Sequence, residues 1–312
     1  MALCGQAANT VLAQIGNDMI LLFFLLTQDI DYEYLYYSAT VLEVQFKDEK
    51  DSAFAKLIEL ARDSLYADTT MNFLISKFDS KHGRERHGLK DIFVEIGEPA
   101  VEHIIAHIAY RGSDEESRAL KQSLWVLGEI GGETYIDAVS AWITDEQWQV
   151  RSGAYATLGK SESPKARPYV LHGLDDTDPS VRKSAFYALT EIATDNDIEV
   201  LIHGLDDPSY GVRYAAVTGL VNLGGIVIEP LFRVFGNNDI TDFFAARVLG
   251  ELDSLDFDRS LLYAHPRAEV RFAYYDACTD THHLKEALET EKNERLKAYL
   301  QRKIVHLDLN DI

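Results

Sequence analysis

The pair Val-Arg stands at residues 150–151, 181–182 and 212–213, a spacing of 31 each time (181 − 150 = 212 − 181 = 31), and returns at Val270-Arg271 after one degenerate unit. A fixed period of this length confines the chain to repeat architectures. In these, one supersecondary unit cannot bury its apolar face alone and stacks on the next. The residues around each pair recur with it. Val181, Ala185, Ala188, Leu189 and Ile192 fall on one face at helical period, which predicts a first helix. A turn and a second apolar stretch follow, as in Ile198 to Leu205 or Tyr169 to Leu174, and most copies then close on an acidic turn such as Asp175-Asp176 or Asp206-Asp207.

Small residues in the first helix, Ala154, Ala185, Ala215 and Ala216, suit close helix approach. Asp178-Pro179 and Asp207-Pro208 are expected to open helices, since Asp accepts turn N–H groups and Pro tolerates the first helical position. Gly159, Gly224 and Gly250 are expected as left-handed helix ends, and Gly131-Gly132 and Gly224-Gly225 as helix-end turns. Fainter copies run upstream through Leu124 to Gly131, with Arg118 near the position of Arg151, and through Leu89 to Gly97. Downstream they continue through Phe243 to Leu252 and Val270 to Ala277, with a closing helix at Leu296 to Ile304. Residues 1–85 show helix-like stretches (Thr10 to Leu26, Tyr32 to Phe46, Ser52 to Tyr66, Thr70 to Phe78) without the register. The polar interval Lys77 to His87 is the expected boundary, giving a helical N-terminal cap or module at 1–85 and a repeat array at 86–312.

The Val-Arg-x-x-Ala-x-x-x-Leu stretches and Leu127-Gly-Glu-Ile-Gly131 resemble HEAT-like repeats of the short type found in phycobilin lyases and bacterial scaffolding proteins. The resemblance covers residues 86–295. It implies an all-α, right-handed solenoid of about six to seven helix-pair repeats after a helical N-terminal region. Tetratricopeptide and ankyrin signatures are absent. A HEAT-fold enzyme family, the deoxyhypusine hydroxylases, holds two irons on His-Glu dipeptides. No His in this chain precedes a Glu, so that resemblance stops at the fold.

The net charge of −21 argues against binding nucleic acid, which needs clustered Lys and Arg, and against anionic membrane surfaces. It suits a basic protein partner, or simply solubility through a solvated surface. The apolar run Met19 to Leu26 is too short to span a bilayer and reads as a buried helix segment. The two cysteines, Cys4 and Cys278, form no redox or metal motif, and a cytoplasmic location is the default. His282-His283 is the only adjacent His pair. Neighbouring positions on a helix diverge by about 100°, which disfavours a shared metal. No nucleophile motif and no phosphate loop occurs, so no catalytic, metal or cofactor residue is expected.

Two features carry binding expectations. The register arginines beside the acidic turns read as Arg–carboxylate bonds tying adjacent repeats rather than as a ligand ladder. The second helices line the concave face in HEAT-type stacks, so their outward positions meet partners. One column is Ala106, Ala141, His172, His203 and Arg233; its neighbour is Glu102, Asp137, Pro168, Glu199 and Glu229, with Tyr169 nearby. The expected partner-binding residues are Glu102, Asp137, Tyr169, His172, Glu199, His203, Glu229 and Arg233. Tyr32, Tyr34, Tyr36 and Tyr37, among Asp29, Asp31 and Glu33, read either as interface anchors or, the commoner outcome at helical spacing, as core packing. Trp142 and Trp148 flank Asp145-Glu146 as a patch or an inter-repeat plug. The functional expectation is a non-enzymatic adaptor or inhibitor that binds a basic protein surface. The alternative, implied by the resemblance, is a phycobilin lyase-like enzyme or chaperone that presents a tetrapyrrole to an acceptor protein.

Overall fold

The computed structural model describes residues 30–42, 44–113 and 115–310, which are helical with no β-strand among them. The chain forms two compact units, Met1–Leu74 and Ile75–Ile312. The polar interval Lys77 to His87 therefore belongs to the second unit, as a 3-10 turn at Lys77–Asp79 followed by the start of a helix at Gly83. The stretches Thr10 to Leu26 and Met19 to Leu26, with Cys4 and Asp29, lie outside the described residues.

In the first unit, α1 (Tyr32–Thr40) packs on α2 (Lys47–Arg62), and α3 (Ala67–Ser76) begins there. The helix expected through Phe46 stops at Thr40, and a separate 3-10 turn covers Val44–Phe46. Asp31 caps α1 through the Tyr34 amide at 2.9 Å. The tyrosine cluster divides by face. Tyr36 is buried and Tyr32 stacks near Phe73, whereas Tyr34 and Tyr37 face solvent, Tyr34 donating to Glu49 at 2.8 Å.

In the second unit the helices come in pairs: α4 and α5 (Gly83–Ile96, Val101–His107), α6 and α7 (Arg118–Ile130, Ile136–Ser140), and α8 and α9 (Trp148–Gly159, Arg167–His172). The series continues with α10 and α11 (Pro179–Ile192, Ile198–Gly204), α12 and α13 (Tyr210–Leu223, Ile228–Val234), α14 and α15 (Asp239–Glu251, Ser260–Tyr263) and α16 and α17 (Ala268–Ala277, Thr281–Thr290). A final helix, α18 (Glu294–Asn310), packs on α17. Each first helix lies against the first helix of the next pair, from α4 through α16. This is a solenoid of HEAT-like helix pairs.

The register explains the core. Val150, Val181, Val212 and Val270 form one buried column, and Ala154, Ala185, Ala216 and Ala245, four positions after the Val or its equivalent Thr241, form another. Leu158, Leu189, Leu220 and Leu249 form a third. Cys278 occupies the next place in the Leu column, and burial pushes its thiol up to about 12. It is a small core hydrophobe rather than a reactive group. The stretch Tyr210–Val234 has the length and composition to cross a membrane. Here it folds as α12 and α13, broken by a turn at Gly224–Val227, and buries Val212, Ala215, Ala216 and Leu220.

Two expectations about helix ends need correction. Gly131 and Gly224 have positive φ (79° and 70°) and end their helices in turns, but with ψ of −173° and −147° neither is in the left-handed helical conformation expected at Gly224. Gly159, the last residue of α8, and Gly250, inside α14, lack a positive φ. A Cβ on Gly159 would lie 2.6 Å from Ala188 Cα, and one on Gly250 would lie 2.7 Å from Ala277 Cβ, so these two glycines admit the neighbouring first helix. Asp178-Pro179 does open α10, with Asp178 accepting the Ser180 amide at 2.7 Å. Asp207-Pro208 does not open α12, which starts at Tyr210 after Ser209. Asp207 is instead the equivalent of Asp176, two residues before the N-cap position that Asp178 and Ser209 occupy.

Candidate protein-interaction groove

Asp145, Asp176 and Asp207 each stand six residues before a register Arg (151 − 145 = 182 − 176 = 213 − 207 = 6). Each serves three neighbours. Its carboxylate accepts the backbone N–H two residues on, at 2.9 Å from Gln147, 2.8 Å from Asp178 and 2.7 Å from Ser209. The same carboxylate accepts the two-pronged guanidinium of an earlier repeat: Arg111 on Asp145 (2.5 and 3.1 Å), Arg151 on Asp176 (2.8 and 2.9 Å) and Arg182 on Asp207 (2.8 and 3.0 Å). Its main-chain carbonyl accepts from Nη1 of its own repeat's Arg, at 2.8 Å for Arg151, 2.8 Å for Arg182 and 2.6 Å for Arg213. Arg and Asp thus alternate from repeat to repeat in a continuous ladder, with the bidentate geometry that matches a guanidinium fork to a carboxylate. Each Arg reaches forward to the next acidic turn, not back to the carboxylates before it. Burial works against ionisation of Asp145 and Asp176, yet the arginine and amide bonds hold both below the usual carboxylate range. The place of Arg151 in the preceding repeat falls on Leu120 (151 − 31 = 120), not Arg118. Arg118 opens α6 beside Glu116, and the off-register Arg111 fills the rung.

Downstream the ladder changes chemistry. Gly236 stands where the next acid belongs, so Arg213 lies over Phe244 (5.1 Å) and Tyr210 (5.7 Å) instead. Asp242 then takes the Arg position and His265 the Asp position. Asp242 accepts the Gly236 amide at 2.7 Å and faces His265 Nε2 at 3.3 Å, a rung of reversed polarity. The original polarity returns at Arg271, whose fork meets Glu291 at 2.9 Å on both prongs. Burial opposes the charge on Glu291, but Arg271, the Asn293 amide and Tyr275 together hold it at about 2.

Because the second Asp of each doublet is held in the ladder, the first is left over. Asp175 and Asp206 are exposed and rim two open grooves. The wider, of about 910 Å³, is floored by Leu171, Leu174, Phe186 and Val200, and Glu199 and His203 of α11 line it with both acidic turns. The other, of about 640 Å³, lies one repeat earlier between Ile143 and His172. They share Leu171, Asp175, Asp176 and Thr177 and so run on from repeat to repeat.

Of the residues expected to meet a partner, Glu102, Asp137, His172, Glu199, His203, Glu229 and Arg233 are exposed, and Tyr169 is half-buried. The fold brings Tyr169 and Asp137 together, the phenol donating at 3.2 Å across adjacent repeats. His172, Glu199 and His203 line the grooves, whereas Glu102 on α5 and the pair Glu229 and Arg233 on α13 do not. Sequence reasoning did not separate Asp175 and Asp206 from their doublet partners. The signal was the six-residue step that commits only the second Asp to the ladder. Trp142 lies against Arg111 at 5.9 Å, and Trp148 begins α8 in solvent. Among the described residues no group of three or more His, Cys, Asp or Glu is arranged to hold a metal.

Residues 101–190 and 141–221 match the family model described as HEAT repeats. Those residues run from α5 into α12 and contain the ladder from Arg111 to Arg213 and both grooves. Similar solved structures include the complex of CpcE and CpcF of phycocyanin lyase from Nostoc sp. PCC7120, at 17% identity over 76% of this chain and 94% of that one, with a TM-score of 0.39. The YibA protein of Escherichia coli is similar at 15% identity over 82% and 96%, with a TM-score of 0.47. Human deoxyhypusine hydroxylase is similar at 17% identity over 78% and 97%, with a TM-score of 0.36. No curated protein matches the sequence.

Proposed function

We propose that this chain, which carries HEAT repeats over residues 101–221, is a non-enzymatic, cytoplasmic adaptor or inhibitor whose solenoid binds a partner protein with a basic surface. The observation that supports this most directly is the division of labour in the acidic turns. Asp176 and Asp207 are bonded into the ladder, while Asp175 and Asp206 stand exposed beside an apolar floor. A pre-formed groove lowers the ordering cost of binding, and exposed carboxylates steer a cationic partner and set its register. His172, Glu199 and His203 contribute polar contacts on the same surface, and Glu102, Asp137, Tyr169, Glu229 and Arg233 extend it along the second helices.

The test is affinity capture from lysate of the source organism with cross-linking mass spectrometry and an absorbance spectrum of the eluate. A variant carrying His172→Ala, Glu199→Gln and His203→Ala serves as control. The adaptor reading expects one stoichiometric protein cross-linked to the second helices, lost in the variant, with no visible absorbance. Bound pigment with its acceptor protein would replace it with the lyase-like reading.

A further inference from the structure

Four register arginines are held alike at one end of the guanidinium. Nη1 of Arg151, Arg182, Arg213 and Arg271 donates to the carbonyls six and five residues back, at 2.6–2.8 Å and 3.1–3.4 Å. The opposite edge, Nε with Nη2, is the one that carries the rung. In three of the four it grips a carboxylate: Asp176 at 2.8 and 2.9 Å, Asp207 at 2.8 and 3.0 Å, and Glu291 at 2.9 Å on both prongs. Among the described residues Arg213 offers that edge to no carboxylate, and its buried Nε has no acceptor at all. A buried donor without a partner is uncommon in a native fold and calls for a reason.

The reason lies in the next turn. Where earlier turns carry Asp175-Asp176 and Asp206-Asp207, this one reads Gly236-Asn237. Gly236 is exposed, and a Cβ on it would meet no atom within 4 Å, so no other side chain has closed over the position of the missing acid. The acids nearest in sequence are committed elsewhere: Asp207 to Arg182, Asp239 to Arg267, and Asp242 to His265 and the Gly236 amide. The rings of Phe244 and Tyr210, 5.1 and 5.7 Å from the guanidinium carbon, favour its charge but supply no oxygen to Nε or Nη2.

We propose that the Nε–Nη2 edge of Arg213 binds a carboxylate that the chain does not itself supply, carried by an acidic side chain of a protein segment or by a free carboxylic acid. The ligand completes the ladder as Asp176, Asp207 and Glu291 do, through two parallel charge-assisted bonds. Those three forks, backed by the same carbonyls, identify the class of ligand. Tyr210, 60% exposed, stands beside the site on its solvent side. The site goes beyond the adaptor reading and does not rest on it, since it selects an acid where the grooves select a base.

The experiment follows the arginine Nε–H resonances of the full chain by NMR, with Arg213 assigned through Arg213→Lys. The titrants are acetyl-Leu-Glu-Leu-amide, its Gln counterpart, and sodium acetate exchanged for chloride at constant ionic strength. The proposal expects the Arg213 signal to move saturably with the Glu peptide and at least about tenfold more weakly with the Gln peptide, as loss of a charge-assisted pair implies. The Arg151 and Arg182 signals stay in place, because their forks are filled from within. A midpoint that acetate shares with the Glu peptide makes a free acid sufficient; a lower midpoint for the peptide makes a protein segment the source. Calorimetry with the Glu peptide then compares wild type with Arg213→Lys, which keeps the charge without the fork and binds at least about tenfold more weakly. An Arg213 signal that no titrant moves, or that both peptides move equally, overturns the proposal. So does unchanged affinity in Arg213→Lys, which would leave only charge attraction. None of these results touches the adaptor reading, which stands or falls on partner capture through His172, Glu199 and His203.

Discussion

Arg182 and Arg213 occupy the same place in adjacent repeats and share one of two functions, so comparing them isolates the rung. Both donate Nη1 to the carbonyl six residues back, at 2.8 and 2.6 Å. Only Arg182 also holds a carboxylate, Asp207, at 2.8 and 3.0 Å, with side chains 15% and 12% exposed. Arg182→Met keeps the aliphatic stem and leaves Asp207 with the Ser209 amide alone. Stranding one partner of a fully buried pair costs about 3–5 kcal/mol; residual solvent at this site lowers the expectation to about 2–3 kcal/mol. Arg213→Met forfeits the carbonyl bonds and the contact with Phe244 but strands no charge, for about 1 kcal/mol. At about 2–4 °C per kcal/mol for a unit of this size, Tm falls by about 4–12 °C for Arg182→Met and about 2–4 °C for Arg213→Met. Adding Asp207→Asn to Arg182→Met relieves the stranded carboxylate and recovers part of the loss, the non-additivity expected of a direct pair. Equal losses in the two single variants, or no recovery in the double, would show that the carboxylate bond contributes nothing and refute the ladder as a source of coupling between repeats.

Three further outcomes follow from the same geometry. Glu291 is depressed to about 2 in the folded chain against about 4.3 unfolded, so its contribution is complete above the unfolded value and is lost as pH falls from there to about 2. Melting temperature measured from pH 6 to pH 2.5 declines for the wild type, and Glu291→Gln flattens part of that decline. Gly159→Val drives side-chain carbon into Ala188 and costs about 1–3 kcal/mol by overpacking, whereas Gly132→Ala, with nothing within 4 Å but a φ of 90°, costs only backbone strain of about 1–2 kcal/mol; thermal melts rank them. Replacing His172, His203 and Arg233 together, all exposed, weakens partner capture and leaves Tm within about 1 °C, since exposed positions without bonds contribute little stability.

The Val, Ala and Leu columns could be read from the chain because burial in a stacked helix pair imposes residue type at a fixed period, and Val150, Val181 and Val212 obey it with full burial. The ladder was visible as Arg beside Asp for the same reason. What spacing did not disclose lies where another constraint acts on the same residue. Gly159 looks like a helix terminator, but the approach of Ala188 decides it, a contact set by the neighbouring repeat. The reversed rung at Asp242 and His265 was hidden because units there shorten to 29 residues (242 − 213 = 271 − 242 = 29) and the pair conserves the bond while exchanging its ends. The outward residues of the second helices were found by periodicity, yet periodicity weights Glu102 and His203 alike. Only the three-dimensional path of the acidic turns puts His203 on a groove and leaves Glu102 off it.

The central claim is that each Asp-Asp doublet gives one carboxylate to the fold and keeps the other for binding. Thermal melts of four single variants, Asp175→Asn, Asp176→Asn, Asp206→Asn and Asp207→Asn, test it most directly. The account predicts a Tm loss of several degrees for Asp176→Asn and Asp207→Asn, from the broken forks of Arg151 and Arg182, and no change for Asp175→Asn and Asp206→Asn. Equal losses within each doublet, or the larger loss at Asp175 and Asp206, would contradict it.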